Sequence, residues 1–141
     1  MIETYNEQKH IKTLELDKVL NLLSLCCSMD ETKEKAKEIM PKNNFHEVNE
    51  LLKETEDAFL LSARFSAPTF GKVTNVISLL SRAEMGGVLN MHELLKIGEL
   101  LRVSRTVKSW KETNAENFNT SLDKYFNKVT PNKYIEEKIL M

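Results

Sequence analysis

Gly71-Lys72 is the closest approach in this sequence to a phosphate-binding loop, and the positions around it decide against one. The motif needs a glycine where Ser66 stands and a Ser or Thr where Val73 stands, so the glycine-rich backbone cradle is missing and the pair reads as a loop turn. Gly86-Gly87 has no preceding strand of the kind that opens a dinucleotide fold and reads as a helix end. His10, His46 and His92 are scattered, with no cysteine, carboxylate or second histidine at a zinc-ligand spacing. Cys26 and Cys27 are adjacent in an apolar run, which suits neither an ordinary disulfide nor a C-x-x-C half-site, so both read as small buried hydrophobes. No G-x-S-x-G run or local cysteine motif marks a nucleophile, and the paired carboxylates Glu56-Asp57 and Glu136-Glu137 read as solvated helical faces. The expectation is no catalytic, cofactor or metal residue in this chain.

One constellation remains. Arg102, Arg105 and Lys108 fall on one side of a helix, roughly opposite Leu100, Val103, Val107 and Trp110 when each residue advances 100°. Such a basic face is either solvated or a contact surface for the phosphates of a nucleic acid.

The elements that must position it are helices. With four glycines and three prolines in 141 residues, and no glycine before Gly71, the chain lacks the punctuation of many short strands. Helical spacing puts Leu16, Val19, Leu20, Leu23 and Cys27 on one stripe of a helix over about 15–27, and Ser28 with Glu31 reads as the capping box of a second helix ending before Pro41. Asn44 with Glu47 caps a long helix carrying Val48, Leu51, Leu52, Thr55, Phe59 and Ser62, which reaches about Arg64. After a loop over 66–74, Val76, Ile77, Leu80 and Ala83 mark a short helix stopped by Gly86-Gly87. Asn90 with Glu93 opens the helix of the basic face, whose apolar stripe turns from Leu94, Ile97 and Leu101 to the later set and therefore meets two neighbours. A loop over 113–119, a helix through Leu122, Tyr125, Phe126 and Val129, and a last helix started by Thr130-Pro131 complete the pattern. The expected fold class is all-α: a single multi-helix domain over 1–141, with residues 1–12 as a flexible leader. Because Ile135, Ile139 and Leu140 seek a partner as the chain stops at Met141, the expectation is an N-terminal fragment of a longer protein.

Composition agrees and excludes other classes. Hydrophobic residues make up 41% and charged residues 29%, too apolar for disorder, and no uncharged apolar run is long enough for a membrane helix. The net charge of −1 offers no whole-molecule attraction to nucleic acid or anionic lipid. Charge is nevertheless uneven, with 9 basic and 13 acidic residues over 1–70 against 11 and 8 over 71–141. Residues 1–13 lack the apolar core of a signal peptide, and a cytoplasmic protein without membrane partners is expected.

Three stretches resemble the N-terminal region of the second bacterial branch of the MutS family, large ATPases with a C-terminal Smr nuclease domain. Thr13 to Leu20 (TLELDKVL) resembles that family's opening helix. Glu54-Thr55-Glu56-Asp57-Ala58 resembles its Glu-Thr-x-Glu-Ala segment. Arg82 to Leu89 (RAEMGGVL), with Glu93-Leu94-Leu95, resembles its R-A-x-x-G-G-x-L…E-L-L run, the most specific of the three. The resemblance covers about residues 12–111. It implies the helical core or lever region that joins the DNA-embracing clamp to the ATPase, and hence a non-catalytic module of a parent acting on branched DNA, where it restrains recombination, or on stalled ribosomes. ATP and Mg, a homodimer, an endonuclease domain and contacts with the rest of the parent chain are implied for that parent, and none of its catalytic motifs has a counterpart here. Phe45-His46-Glu47 matches the Phe-x-Glu with which mismatch-repair relatives enter DNA, but the Asn44 cap accounts for it. The alternative is a free-standing helical protein-interaction module.

Overall fold

The computed structural model describes residues 10–71 and 73–141, so most of the leader expected over 1–12 and Lys72 of the Gly71-Lys72 pair lie outside the described residues. The chain divides between Pro41 and Lys42 into two compact units. Its described elements are all helical: a turn over 10–13, then α1 (Leu16–Leu25), α2 (Asp30–Lys37), α3 (Phe45–Phe65), α4 (Ile77–Glu84), α5 (Met91–Asn114), α6 (Asp123–Phe126) and α7 (Lys133–Leu140).

In the first unit α1 packs on α2. The inward stripe of α1 is Leu16, Leu20, Ser24 and Cys27, with Val19 and Leu23 outside it. Ser24 tolerates burial because its hydroxyl donates to Asn21 O at 2.7 Å. The two cysteines are a correction: Cys26 is exposed and Cys27 half-buried. The helix ends at Leu25, so both lie in its closing turn, where each thiol donates weakly to a carbonyl four residues back. The expected Ser28–Glu31 capping box does not form either. α2 starts two residues later behind Met29, with Asp30 and Glu31 in its first turn, where carboxylates face the positive end of the helix dipole.

In the second unit the cap at Asn44 is as expected, its side chain accepting from His46 N and Glu47 N at 3.0 and 3.1 Å. Glu47 turns instead to Lys42. Val73 and Val76 bury the ends of the loop after α3, whereas Ile77 and Leu80, expected on the buried stripe of α4, are exposed. α4 closes in a Schellman turn, with Gly86 N donating to Ala83 O and Gly87 N to Arg82 O, both at 2.9 Å. The left-handed residue is Gly86 (φ 84°). Gly87 is needed for another reason: a Cβ there would lie 2.8 Å from Arg82 O.

α5 is the spine of this unit, carrying α7 and α6. Its N-terminus forms the full capping box, Glu93 N to Asn90 Oδ1 at 3.0 Å and Asn90 N to Glu93 Oε2 at 2.9 Å. Its buried residues Ile97, Gly98 and Val107 drift around the helix, as two different neighbours require. The helix runs on to Asn114, and the loop after it is pinned by Ala115, which is almost wholly buried. α6 is a single turn rather than a helix to Val129, and Asn132, not Thr130-Pro131, caps α7 by accepting from Ile135 N at 3.1 Å. At the start of α7 a side chain that accepts an open N–H group sets the boundary, one residue beyond Pro131.

Gly98 is where α7 crosses closely. A Cβ there would meet Ile139 Cγ2 and Leu140 Cδ2, each at 2.9 Å, so the methyl gap that could make alanine favourable in mid-helix is filled. Gly98→Val should push α7 off α5 and cost about 1–3 kcal/mol, the range for overpacking a close contact. Urea denaturation checks this, and an unchanged midpoint would show that α7 does not seat at Gly98.

Candidate functional site

All three residues of the expected basic face lie on α5, each already engaged within the unit. Arg102 pairs with Glu99 one turn back at 2.7 Å. Arg105 forms a two-pronged bond with Glu136 of α7, Nε to Oε2 and Nη2 to Oε1, both at 2.8 Å. Lys108 Nζ donates to Phe126 O at the end of α6, at 3.1 Å. Arg102 and Arg105 border a shallow groove of about 320 Å³ with Thr69, Gly71, Glu99, Val103 and Thr106. Arg102 keeps over half of its side chain in solvent there, at 55%.

Two carboxylates expected on solvated faces belong to this bonding. The Glu136 side chain is only 7% exposed, and Arg105 holds its carboxyl below the usual range, against the burial that would raise it. Asp57 accepts from both the hydroxyl and the backbone N–H of Ser121 at 2.7 Å, and these two bonds likewise hold it low. Its neighbours Glu56 and Glu137 stay exposed. The distinction is invisible in the chain order, because the partners sit 31 and 64 residues away.

The same chemistry explains the most specific stretches of the sequence. On α3, Glu54 and Asp57 stand one turn apart: Glu54 receives Lys124 and the Tyr125 hydroxyl while Asp57 takes Ser121, so the pair grips the start of α6. At the α4–α5 corner, Arg82 pairs with Glu93, which already closes the capping box. That arginine, followed by the Asn90 N–H, keeps Glu93 acidic. Gly86 and Gly87 supply the turn between them. Lys111 completes the set, donating to Ala115 O and Phe118 O at 3.0 and 2.7 Å and pairing with Asp123 at 2.9 Å. Burial raises the Asp123 carboxyl, but the bonds from Lys111 and Thr120 outweigh it and its acidity increases. None of these residues is left poised for proton transfer or nucleophilic attack. Among the described residues no three His, Cys, Asp or Glu gather as metal ligands, and His10, His46 and His92 are all exposed.

Arg105→Lys should destabilise the unit nearly as much as Arg105→Ala, because an ammonium cannot reproduce the planar fork that meets both oxygens of a buried carboxylate. The pH dependence has a definite sign. Glu54, Asp57, Glu93, Asp123 and Glu136 are all more acidic folded than unfolded, so the unfolded chain takes up protons first as pH falls. Stability should be full above about pH 5 and fall steadily through the ordinary carboxylate range below it. Melting temperatures at stepped pH test both points; a flat profile between about pH 5 and 3 would remove these bonds from the energetics.

Comparison with known proteins matches these stretches to relatives. The chain is 32% identical over 135 residues to the endonuclease MutS2 of Ruminiclostridium cellulolyticum, covering 95% of this chain and 17% of that protein. It is 36% identical over 110 residues to the endonuclease MutS2 of Agathobacter rectalis, covering 78% and 14%. With the endonuclease MutS2 of Acetivibrio thermocellus it shares 32% over 139 residues, covering 95% and 17%. No model of a protein family matches the chain, and no solved structure does. No described helix is long and apolar enough to cross a membrane. The chain spans less than a fifth of these relatives and aligns with two of them over 95% of its own length, and it is thereby a MutS2-related region, kin to the second bacterial branch of the MutS family.

Proposed function

We propose that this chain is a non-catalytic helical module of a MutS2-like protein, a rigid core or lever piece through which that protein's other parts are joined. The parent would bind ATP with Mg and act on branched DNA or on stalled ribosomes as a homodimer; none of these tasks falls to a residue of this chain. The observation that carries the reading is how the family-like residues are spent. Arg82 and Glu93 join α4 to α5, Glu54 and Asp57 hold Lys124, Tyr125 and Ser121, and Gly86 and Gly87 shape a corner. Residues kept for geometry rather than reaction are what a mechanical part needs, since force passes between sites only through elements that hold their shape.

A chimera tests this. Replacing the matched segment of the Ruminiclostridium cellulolyticum relative with this chain should preserve that relative's endonuclease activity, and Arg82→Ala with Glu93→Ala in the chimera should weaken it. The isolated chain should cleave no nucleic acid and hydrolyse no ATP. Turnover by the isolated chain, or a chimera indifferent to the corner, would overturn the reading.

Nucleic-acid contact by the basic face narrows to Arg102 in this proposal, because replacing Arg105 or Lys108 also releases α7 or α6. Binding of duplex DNA by the chain alone should be weak. Arg102→Ala should reduce its log–log salt slope by about 0.9, the value of one phosphate contact. Fluorescence titration at two salt concentrations reads this, and an unchanged slope would leave Arg102 as a solvated partner of Glu99.

A further inference from the structure

Of the chain's four arginines, three are spent on its own carboxylates: Arg82 on Glu93, Arg102 on Glu99 and Arg105 on Glu136. Arg64, in the last turn of α3, has neither an ion pair nor a hydrogen bond among the described residues. Its guanidinium is held instead by two aromatic rings, with Cζ 5.5 Å from the centre of Phe65 and 5.3 Å from that of Phe118. The rings themselves meet edge to face at 5.6 Å. Attraction to a ring places the cation but gives its N–H donors no acceptor, so the fork of Arg64 stays open. It opens on a cleft of about 270 Å³ where two helices end, α3 at Phe65 and α5 at Asn114. The cleft has its shape without a ligand, because Lys111 holds the carbonyls of Ala115 and Phe118, and Ala115 is almost wholly buried. Around it Asn117 makes no hydrogen bond, Asn114 gives its amide nitrogen to Trp110 O and keeps its oxygen open, and Glu116 has no ion pair.

We propose that this cleft docks an acidic peptide segment of another protein, an aspartate or glutamate carboxylate lying in the fork of Arg64 and the neighbouring chain lying on Phe65, Phe118 and Asn117. A guanidinium fork matches a carboxylate with two parallel bonds. A side-chain amide such as Asn117 can donate to a peptide carbonyl and accept from a peptide N–H at once. The two rings set the arginine in place before the ligand arrives, which lowers the cost of ordering it. Charge decides between a peptide and the backbone of a nucleic acid. Glu116 and the carbonyl ends of two helix dipoles make the surroundings of Arg64 negative. A peptide brings one carboxylate for Arg64 together with N–H groups for those acceptors, whereas a run of phosphates brings acceptors alone and repels Glu116. The inference goes beyond the lever reading, which accounts for the arginines that hold helices together and leaves the fork of Arg64 without a task.

The test is an NMR titration of the nitrogen-15-labelled full chain with the capped dipeptide acetyl-Glu-Leu-amide, its uncharged counterpart acetyl-Gln-Leu-amide, inorganic phosphate and a short oligothymidylate. The Glu dipeptide should move the amide signals of residues 113–118 and saturate on the order of 1 mM. The Gln dipeptide should bind at least about fivefold more weakly, the loss of one charge-assisted pair. Arg64→Ala should abolish that preference, and Arg64→Lys should restore only part of it, because an ammonium has no fork. Asn117→Asp leaves Arg64 and its rings intact, so it keeps the test valid if Arg64→Ala loosens the loop. It should weaken the Glu dipeptide and leave the Gln dipeptide unchanged. Equal binding of the two dipeptides, or no movement of residues 113–118 up to about 20 mM, overturns the proposal. So does saturable binding of phosphate or oligothymidylate at these residues in preference to the Glu dipeptide, which would make the cleft a phosphate site.

Discussion

A carboxylate taken out of water must be met by donors, and in the larger unit that requirement governs how α7 meets α5. Glu136 is the clearest case: nearly buried on α7, it is matched by the forked guanidinium of Arg105 on α5. Without that fork, α7 would bring an uncompensated charge against α5, an arrangement proteins rarely tolerate. With it, α7 can settle so closely that only a glycine fits beneath Ile139 and Leu140. The ion pair and the glycine are therefore one device, the first setting the angle of approach and the second its distance.

The same principle recurs at smaller scale. Asp57 fixes Ser121, Glu54 fixes Lys124 and Tyr125, Lys111 gathers two carbonyls and Asp123, and Arg82 fixes Glu93. Among the described residues no large hydrophobic side chain is completely buried. Specific polar bonds define geometry sharply, while apolar surface left outside remains available for further packing. The chain that carries this exposed apolar surface spans 17% of two of the MutS2 relatives it matches.

Local chemistry was readable from the sequence wherever one side chain answers to its immediate neighbours. The helical class, the caps at Asn44 and Asn90, the stop at Gly86-Gly87 and the turning apolar stripe of α5 all follow from spacings of a few residues. The caps expected at Ser28 and Thr130 failed: α2 starts behind Met29 with no side-chain cap, and α7 follows Asn132, whose side chain accepts from Ile135 N. The stripe of α3 was legible as a stripe, yet periodicity says only that residues share a face, never what covers it.

Tertiary structure alone decided the fate of the charged residues. Arg105 and Lys108 look like solvated or phosphate-seeking cations from their spacing, and Glu136 looks like one of two surface acids. Their pairing depends on α7 and α6 folding back across α5, at sequence separations of 31 and 18 residues. An ionic side chain carries no mark of its partner in its own neighbourhood, because charge attracts any opposite charge that the fold brings near. The apolar pattern and caps therefore determined which helices form, and the meeting of those helices determined which charges were left to face the solvent.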